Sequence, residues 1–309
     1  MPFDEYVWID RQEILTYEEI ARLANIFVQL GVEKIKLTGG EPLVRRHLER
    51  LVSQLSRLDG LQDLCLTTNG ALLAEQVPAL KAAGLRRVNV SLDTLNPEKF
   101  QQMTKRNDLA KVLEGIFAAK SYGLHPIKIN AVVIRGINDD DIINLVEFSR
   151  QNGFALRFIE YMDVGNVNGW NLDKLVSKQE ILRIIQAHFP LREAGRDNES
   201  DTAVRYELAD GSGDIGVIAS VTEPFCSGCT RARLTADGKL VTCLFSEQGF
   251  DLKTLMRNGA VDEEIKEAIG GVWIRRTDKY SDERLEAINS VYGYQAQLHK
   301  KIEMISLGG

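Results

Sequence analysis

Apolar residues follow two different periods along the first half of the chain. From Thr16 to Gly31 they recur every three or four positions (Ile20, Leu23, Ala24, Phe27, Leu30), which is one face of a helix, and Thr16 with Glu19 forms a capping box at its start. Alternation with a period of two then predicts strands over 34–38, 63–68, 87–92, 127–134 and 154–161. Helical spacing fills the intervals, over 46–58, from Asn69-Gly70 to Ala83, over 97–122, and from Asn138 or Asp139 to Gln151. Strands and helices alternate with no hairpin turn between them, so the pattern predicts βα units and a parallel sheet.

The alternation also separates an open sheet from a barrel. Ile35 and Leu37 oppose Lys34, Lys36 and Thr38; Val88, Val90 and Leu92 oppose Asn89, Ser91 and Asp93; Ile127 and Ile129 oppose Lys128 and Asn130. A parallel strand in a doubly wound sheet is apolar on both faces. One polar face on several strands predicts a full or partial (β/α) barrel with apolar residues toward the helices and a ligand-holding lumen. Lysines on that face cannot stay buried and charged without an anion. Lys34, Lys36 and Lys128, with Arg157 on the last strand, therefore make a candidate phosphate or carboxylate pocket. Cys65 shares its facing with Thr67 but lies deeper, and reads as a small core residue.

After Tyr161 the pattern changes. Residues 163–170 read as a loop, 178–188 as a helix, and 192–202 as a polar, mobile segment. An antiparallel pair is expected over 203–208 and 214–220, joined through Asp210-Gly211-Ser212-Gly213, and Asp237-Gly238 turns one short strand into the next. Short helices over 252–257 and 262–269 precede a polar tail. A boundary falls near 162–178, giving expected parts of 1–165 and 166–309.

Composition narrows the function classes. The 309 residues are 44% hydrophobic and 27% charged, as in ordinary globular proteins. No run reaches the roughly 18 apolar residues of a membrane span, and the start is acidic and aromatic rather than that of a signal peptide. Four cysteines make no disulfide framework, so a reducing cytoplasm is expected. A net charge of −6 argues against nucleic acid as a partner.

Three of those cysteines lie close together. Cys226 and Cys229 form a Cys-x-x-Cys turn, and Cys243 follows on a strand-like run over 239–245, with Arg231 and Arg233 between. The turn lets two thiolates converge on a metal centre. Three cysteines and an open fourth position suit an iron–sulfur cluster with one free iron, or a catalytic metal. A zinc site completed by a distant residue, or a redox dithiol with a third cysteine by chance, has the same spacing. The arginines would lower thiolate pKa values and attract an anion.

Several stretches then stand together in order: Thr38-Gly39-Gly40-Glu41-Pro42-Leu43, Leu66-Thr67-Thr68-Asn69-Gly70, Asn89-Val90-Ser91-Leu92-Asp93, Arg157-Phe158-Ile159-Glu160-Tyr161-Met162, Phe225-Cys226-Ser227-Gly228-Cys229-Thr230-Arg231-Ala232-Arg233-Leu234 and Gly308-Gly309. Together they resemble the MoaA family, the GTP 3′,8-cyclases of molybdenum cofactor biosynthesis, over essentially the whole chain. Gly-Gly-Glu-Pro alone would indicate only a radical S-adenosylmethionine (SAM) enzyme.

The resemblance implies a TIM-type (β/α)6 barrel and a C-terminal α+β region with a second iron–sulfur site. It implies that Gly40, Ser91 and Met162 bind SAM. It implies that Lys36, Thr67, Lys128, Arg231, Ala232 and Arg233 bind GTP, with Lys34 and Arg157 as further basic groups. Cys226, Cys229 and Cys243 would hold a [4Fe–4S] cluster whose open iron faces the guanine, and Gly308-Gly309 would enter the active site. The implied reaction is hydrogen abstraction from C3′ of GTP by a SAM-derived radical and attack on C8, giving 3′,8-cyclo-7,8-dihydro-GTP. A homodimer and a downstream partner, cyclic pyranopterin monophosphate synthase, are implied by family alone.

One departure stands out. The family carries an N-terminal Cys-x-x-x-Cys-x-x-Cys for the SAM-cleaving cluster, and this sequence has no cysteine before Cys65. Met1-Pro2 matches a pair that commonly follows that motif. The expectation is therefore a chain lacking the motif, the first barrel strand and an arginine used toward GTP, with no SAM-cleaving cysteine of its own. The alternative is a non-catalytic GTP-binding iron–sulfur relative, and a zinc-bearing barrel of other chemistry is a third reading.

Overall fold

The computed structural model describes residues 9–165, 169–290, 294–296 and 299–302. The expected Gly308-Gly309 tail lies outside the described residues. Helix α1 (Tyr17–Gln29) starts on the predicted capping box: Thr16 Oγ1 accepts from Glu19 N at 3.1 Å, and Glu19 Oε2 accepts from Thr16 N at 2.8 Å. The five predicted strands form as β1 (Lys34–Leu37), β2 (Asp63–Thr68), β3 (Arg87–Ser91), β4 (Ile127–Val133) and β5 (Ala155–Glu160). Each pairs in parallel with the next.

Helices α2 (Leu48–Leu55), α3 (Leu73–Ala82), α4 (Pro97–Thr104), α5 (Leu109–Ser121) and α6 (Ile142–Asn152) connect them. The single helix expected over 97–122 is two, because Lys105 takes a left-handed conformation (φ 58°) and ends α4. The apolar strand face, with Leu64, Leu66, Val88, Val90, Ile127, Ile129, Leu156 and Phe158 all under 5% exposed, packs on these helices as the main core. α3 and α5 meet closely. A Cβ built on Gly115 of α5 would stand 2.5 Å from the Gly70 carbonyl oxygen and 3.0 Å from Leu73 Cβ. Gly115→Ala should therefore destabilise the protein by about 1–3 kcal/mol, although alanine favours helix by up to ~1 kcal/mol. A lowered urea midpoint at unchanged slope would register it.

The sheet continues past residue 165. After α7 (Lys178–Gln186) come β6 (Leu191–Gly195), β7 (Val204–Leu208) and β8 (Asp214–Ile218). The predicted antiparallel pair is β7 and β8, with Val204 opposite Val217 and Tyr206 opposite Ile215. β8 also lies parallel to β5, as sixth strand of the barrel-like layer, so the order is β1-β2-β3-β4-β5-β8-β7-β6. β6 corrects the loop expected over 192–202: Leu191, Arg192 and Glu193 pair with Leu208, Glu207 and Tyr206. As an edge strand with only one neighbour, it needs no apolar alternation to be held.

The cysteine stretch folds on a small sheet of β9 (Arg233–Leu234), β10 (Lys239–Val241) and β11 (Phe250–Asp251), turned at Gly238 with φ 82°. The strand thus ends before Cys243, short of the run expected over 239–245. Helices α8 (Leu252–Arg257), α9 (Asp262–Ile274) and α10 (Tyr280–Ile288) follow, the last in the stretch read as a polar tail, where no element was assigned. A second core of Leu15, Leu23, Ile26, Leu240, Leu252, Met256, Ile265 and Ile269 joins α1 to β10, α8 and α9. Arg22 reinforces it by donating to Asp262 Oδ1 at 2.8 Å and to the Ala260 carbonyl at 2.7 Å. These contacts anchor the cysteine region on the β1 side of the molecule. No helix among the described residues is long and apolar enough to cross a membrane.

Candidate active site

Strand register builds the polar face in rows. Lys36 lies beside Cys65, and Cys65 beside Arg87. Thr67, Asn89 and Lys128 form the next row, and Ser91, Asn130, Arg157 and Gly216 a third. Lys34 stands beside Asp63. The packing at the glycine in β8 is tight: a Cβ there would stand 3.2 Å from both Arg157 Cγ and Ala203 Cβ.

Cations dominate the face. Burial lowers the Lys36 pKa below its ordinary value, and the nearby charges of Arg157, Arg87 and Arg233 lower it further. Burial, then Arg157 and Arg87, lowers Lys128 to about 8. Arg157 is itself pushed down by burial and by Arg87, with Asp201 and Asp197 as partial counter-charges. The Lys36 side chain touches water although protein surrounds it, as expected for a group lining an open lumen. Asp63 does not neutralise the group, because it is engaged by Arg87 in two hydrogen bonds, one of 2.7 Å from Nε. Two buried acceptors, Asn89 Oδ1 and Asn130 Oδ1, have no partner. Such orphaned atoms are uncommon in a finished core and ordinary in a ligand site. Cys65 is fully buried, its thiol pushed up by burial.

The proposed SAM contacts lie at the C-terminal ends of the same strands. Gly40 is in the turn after β1, Ser91 ends β3, and Met162 follows β5. Glu41 fixes the Gly-Gly-Glu-Pro turn, accepting from Thr68 Oγ1 and Asn69 N, both at 2.7 Å, and from Leu43 N at 3.0 Å. Gly39 in that turn has φ 127°, a backbone conformation that favours glycine. Asp93 accepts from Val132 N at 2.8 Å, and its burial raises its pKa to about 6.

The cysteine stretch approaches this face through Arg233, whose charge is felt at Lys36. Cys226, Cys229 and Cys243 are free thiols, each half-buried. Burial pushes the Cys229 thiol up, but the hydrogen bonds and charge of Arg231, with Arg276 behind, outweigh it and hold the pKa below its ordinary value. Arg231 Nη2 and Nε lie 3.0 and 3.3 Å from Cys229 Sγ. Cys243 goes the other way, raised chiefly by burial, with Asp278 and Cys226 adding to it. The expected thiolate-lowering effect of the arginines thus holds at Cys229 and not at Cys243. Ala232 between the arginines is exposed.

Among the described residues, no three His, Cys, Asp or Glu converge as one metal ion requires. A cluster makes a different demand, since its thiolates bond to different irons and stand further apart. In its chemistry, a donor set of three free thiols beside cationic groups suits a cluster. The remaining cysteine, Cys65, is sealed in β2 and stands apart from this set.

Residues 3–149 match the Radical SAM superfamily, and residues 154–282 match Molybdenum Cofactor Synthesis C. A protein of Acidothermus cellulolyticus named GTP 3′,8-cyclase is 46% identical, across 98% of this chain and 89% of its own length. One of the same name from Staphylococcus epidermidis is 44% identical, across 99% of this chain and 89% of its own. The chain belongs to the GTP 3′,8-cyclase family of radical SAM enzymes. In fold it is similar to the solved structure of native anSMEcpe with bound AdoMet and Kp18Cys peptide. That match has TM-score 0.50 and 15% identity, and covers 73% of this chain and 65% of that one.

Seen as a GTP 3′,8-cyclase fold, the structure brings Lys34, Lys36, Thr67, Lys128 and Arg157 onto one face, with Arg233 facing them from the cysteine stretch. Arg87 and Asp63 belong to that face and were missed as site residues, although each stands four residues from a selected position, Ser91 and Thr67. Asn130 was placed on the face by alternation but given no role. Arg276 and Asp163 were missed for a different reason, because only the tertiary fold gives them partners.

Proposed function

We propose that the chain binds GTP between the lumen face and the cysteine stretch, as the substrate-holding part of the GTP 3′,8-cyclase reaction of molybdenum cofactor biosynthesis. The observation that carries this reading is the crowd of cations without matching acids: Lys36, Lys128, Arg157 and Arg233 depress one another or are depressed by burial. A triphosphate relieves that repulsion. In this reading Lys34, Lys36, Lys128 and Arg157 take the phosphates, and Thr67 with the orphaned Asn89 and Asn130 carbonyls takes the ribose. Arg231, Ala232 and Arg233 line the guanine end. Cys226, Cys229 and Cys243 would hold a [4Fe–4S] cluster, which would supply Lewis-acid chemistry at the base, and Gly40, Ser91 and Met162 would hold SAM. The division into a barrel part over 1–165 and a cluster- and GTP-binding part over 166–309 belongs to the same proposal, as do a homodimer, a cytoplasmic setting and delivery of the product to cyclic pyranopterin monophosphate synthase. The residues named here account for the binding and orientation of the two ligands.

Anaerobic reconstitution with iron and sulfide, followed by titration with GTP, tests the binding. Cys229→Ser should lose most of the bound iron and the GTP affinity that depends on it, and retention of full iron would overturn the cluster assignment. Lys36→Ala should weaken GTP more than SAM, and equal losses would contradict its role. Assay with SAM and a strong reductant separates the readings: 5′-deoxyadenosine and 3′,8-cyclo-7,8-dihydro-GTP mark a cyclase, and GTP binding without either marks a non-catalytic relative.

A further inference from the structure

The two arms of the cysteine site are tied together by a segment that makes no ladder hydrogen bond with either. Ladder pairing between β9 and β10 joins Arg233 to Val241 and Leu234 to Leu240, and goes no further. Cys229 lies four residues before this pairing and Cys243 two residues after it, so the small sheet alone does not fix their separation. Between α9 and α10 runs the segment that does. Arg276, with its side chain 12% exposed, donates from Nη1 to the Cys229 carbonyl at 2.6 Å. Its Nε donates to Asp278 Oδ2 at 3.3 Å, and the same oxygen accepts from Thr242 Oγ1 at 2.6 Å. Thr242 is the residue before Cys243. Trp273 lies against the guanidinium, 4.9 Å from ring centre to Cζ, and limits its rotation.

A planar guanidinium offers N–H groups in fixed directions, so it can hold two acceptors at a set angle. A lysine at the same position is a point donor on a flexible stem and cannot. We propose that Arg276 is a positioning residue for the three-thiol site, setting the separation of Cys229 and Cys243 through the path Cys229 carbonyl, Arg276, Asp278, Thr242. The inference rests on the cluster reading above, which gives that separation its purpose. Supporting groups of this kind commonly change metal affinity by roughly 10–100-fold when removed.

The test uses Arg276→Lys and Arg276→Gln in the full chain, reconstituted anaerobically beside the parent and Cys229→Ser. Four readings are taken: iron and sulfide retained against a competing chelator, the electron paramagnetic resonance spectrum of the reduced cluster, the GTP dissociation constant, and the thermal midpoint of the cluster-free chain. Arg276→Lys keeps the charge, so the cluster-free midpoint should stay near that of the parent. Its cluster affinity should nevertheless fall roughly 10–100-fold with an altered spectrum. Arg276→Gln should show the same cluster defect and a larger one in GTP binding. Parent-like iron retention and spectrum in Arg276→Lys would overturn the proposal, whatever the glutamine variant does to stability. If Cys229→Ser keeps its iron, the cluster reading itself fails, which is a separate result.

Discussion

Replacing Asp163 by asparagine should lower the unfolding free energy of the cluster-free chain by about 3–5 kcal/mol, the usual result of removing one partner from a buried ion pair. The Asp163 and Lys301 side chains are each 1% exposed and Arg284 is 0% exposed. Asp163 pairs with Arg284 and accepts from Tyr280 and Lys301, both at 2.6 Å, and from Tyr294. Asparagine keeps the shape but leaves two buried cations without their anion. The cost depends on pH. Burial alone would raise the Asp163 pKa, but Arg284 and the hydrogen bonds from Lys301, Tyr280 and Tyr294 outweigh it and hold the value to about 2. A carboxylate depressed in the folded state stabilises fully above its unfolded pKa, about 4, and loses that contribution as pH falls through the folded value. The gap between parent and variant should therefore be full at neutral pH and shrink between about pH 4 and pH 2. Urea unfolding followed by tryptophan fluorescence measures it, since Trp170 donates to the Tyr161 carbonyl at 2.7 Å and packs edge-on against Tyr294. A gap under about 1 kcal/mol at neutral pH would mean that a water or a second acid replaces the carboxylate.

Asp163 also shows what the sequence could not display. It directly follows Met162, and nothing in its neighbourhood marks it as more than a loop residue. Its partners are Tyr280, Arg284, Tyr294 and Lys301, more than a hundred residues away, from a stretch that read only as a polar tail. α10 is polar because its buried residues are Ser281 and Arg284, and Arg284 is buried against the Asp163 carboxylate. A pattern of apolar positions cannot report that kind of burial. The lumen face was legible for the opposite reason. Alternation depends only on backbone period, and in β4 burial follows it residue by residue, with Ile127, Ile129, Ala131 and Val133 buried between half-buried Lys128, Asn130 and Val132. β8 falls between these cases. Its pairing with β7 was signalled by the turn at 210–213, whereas its parallel seat beside β5 depends on the fit of Gly216 against Arg157. The sequence therefore revealed which residues share the lumen face more readily than which residues hold the two sides of the site together.

The second large effect is expected at Lys128. Lys128→Ala should raise the GTP dissociation constant roughly 10–100-fold, because a charge-assisted contact to a desolvated phosphate contributes about 1.5–3 kcal/mol. The free chain supplies the pH signature. Lys128 is lowered to about 8 from an ordinary 10.5, by burial first and then by Arg157 and Arg87. Between those values the unfolded chain binds the proton that the folded chain has lost, so this residue makes stability rise with pH across that window. GTP reverses the trend. An anion beside the ammonium raises its folded pKa, so binding takes up a proton above about pH 8 and weakens as pH rises further. Titration calorimetry at a single alkaline pH, in buffers of different ionisation heat, measures the uptake directly. Uptake should approach one proton in the parent and fall sharply in Lys128→Ala. Uptake that survives the substitution would move the titration to Lys36, which burial and the charges of Arg157, Arg87 and Arg233 also depress. Absence of uptake in the parent would mean that the triphosphate does not reach this row of the sheet, and the ligand would then have to sit higher in the lumen, toward Ser91 and Arg157.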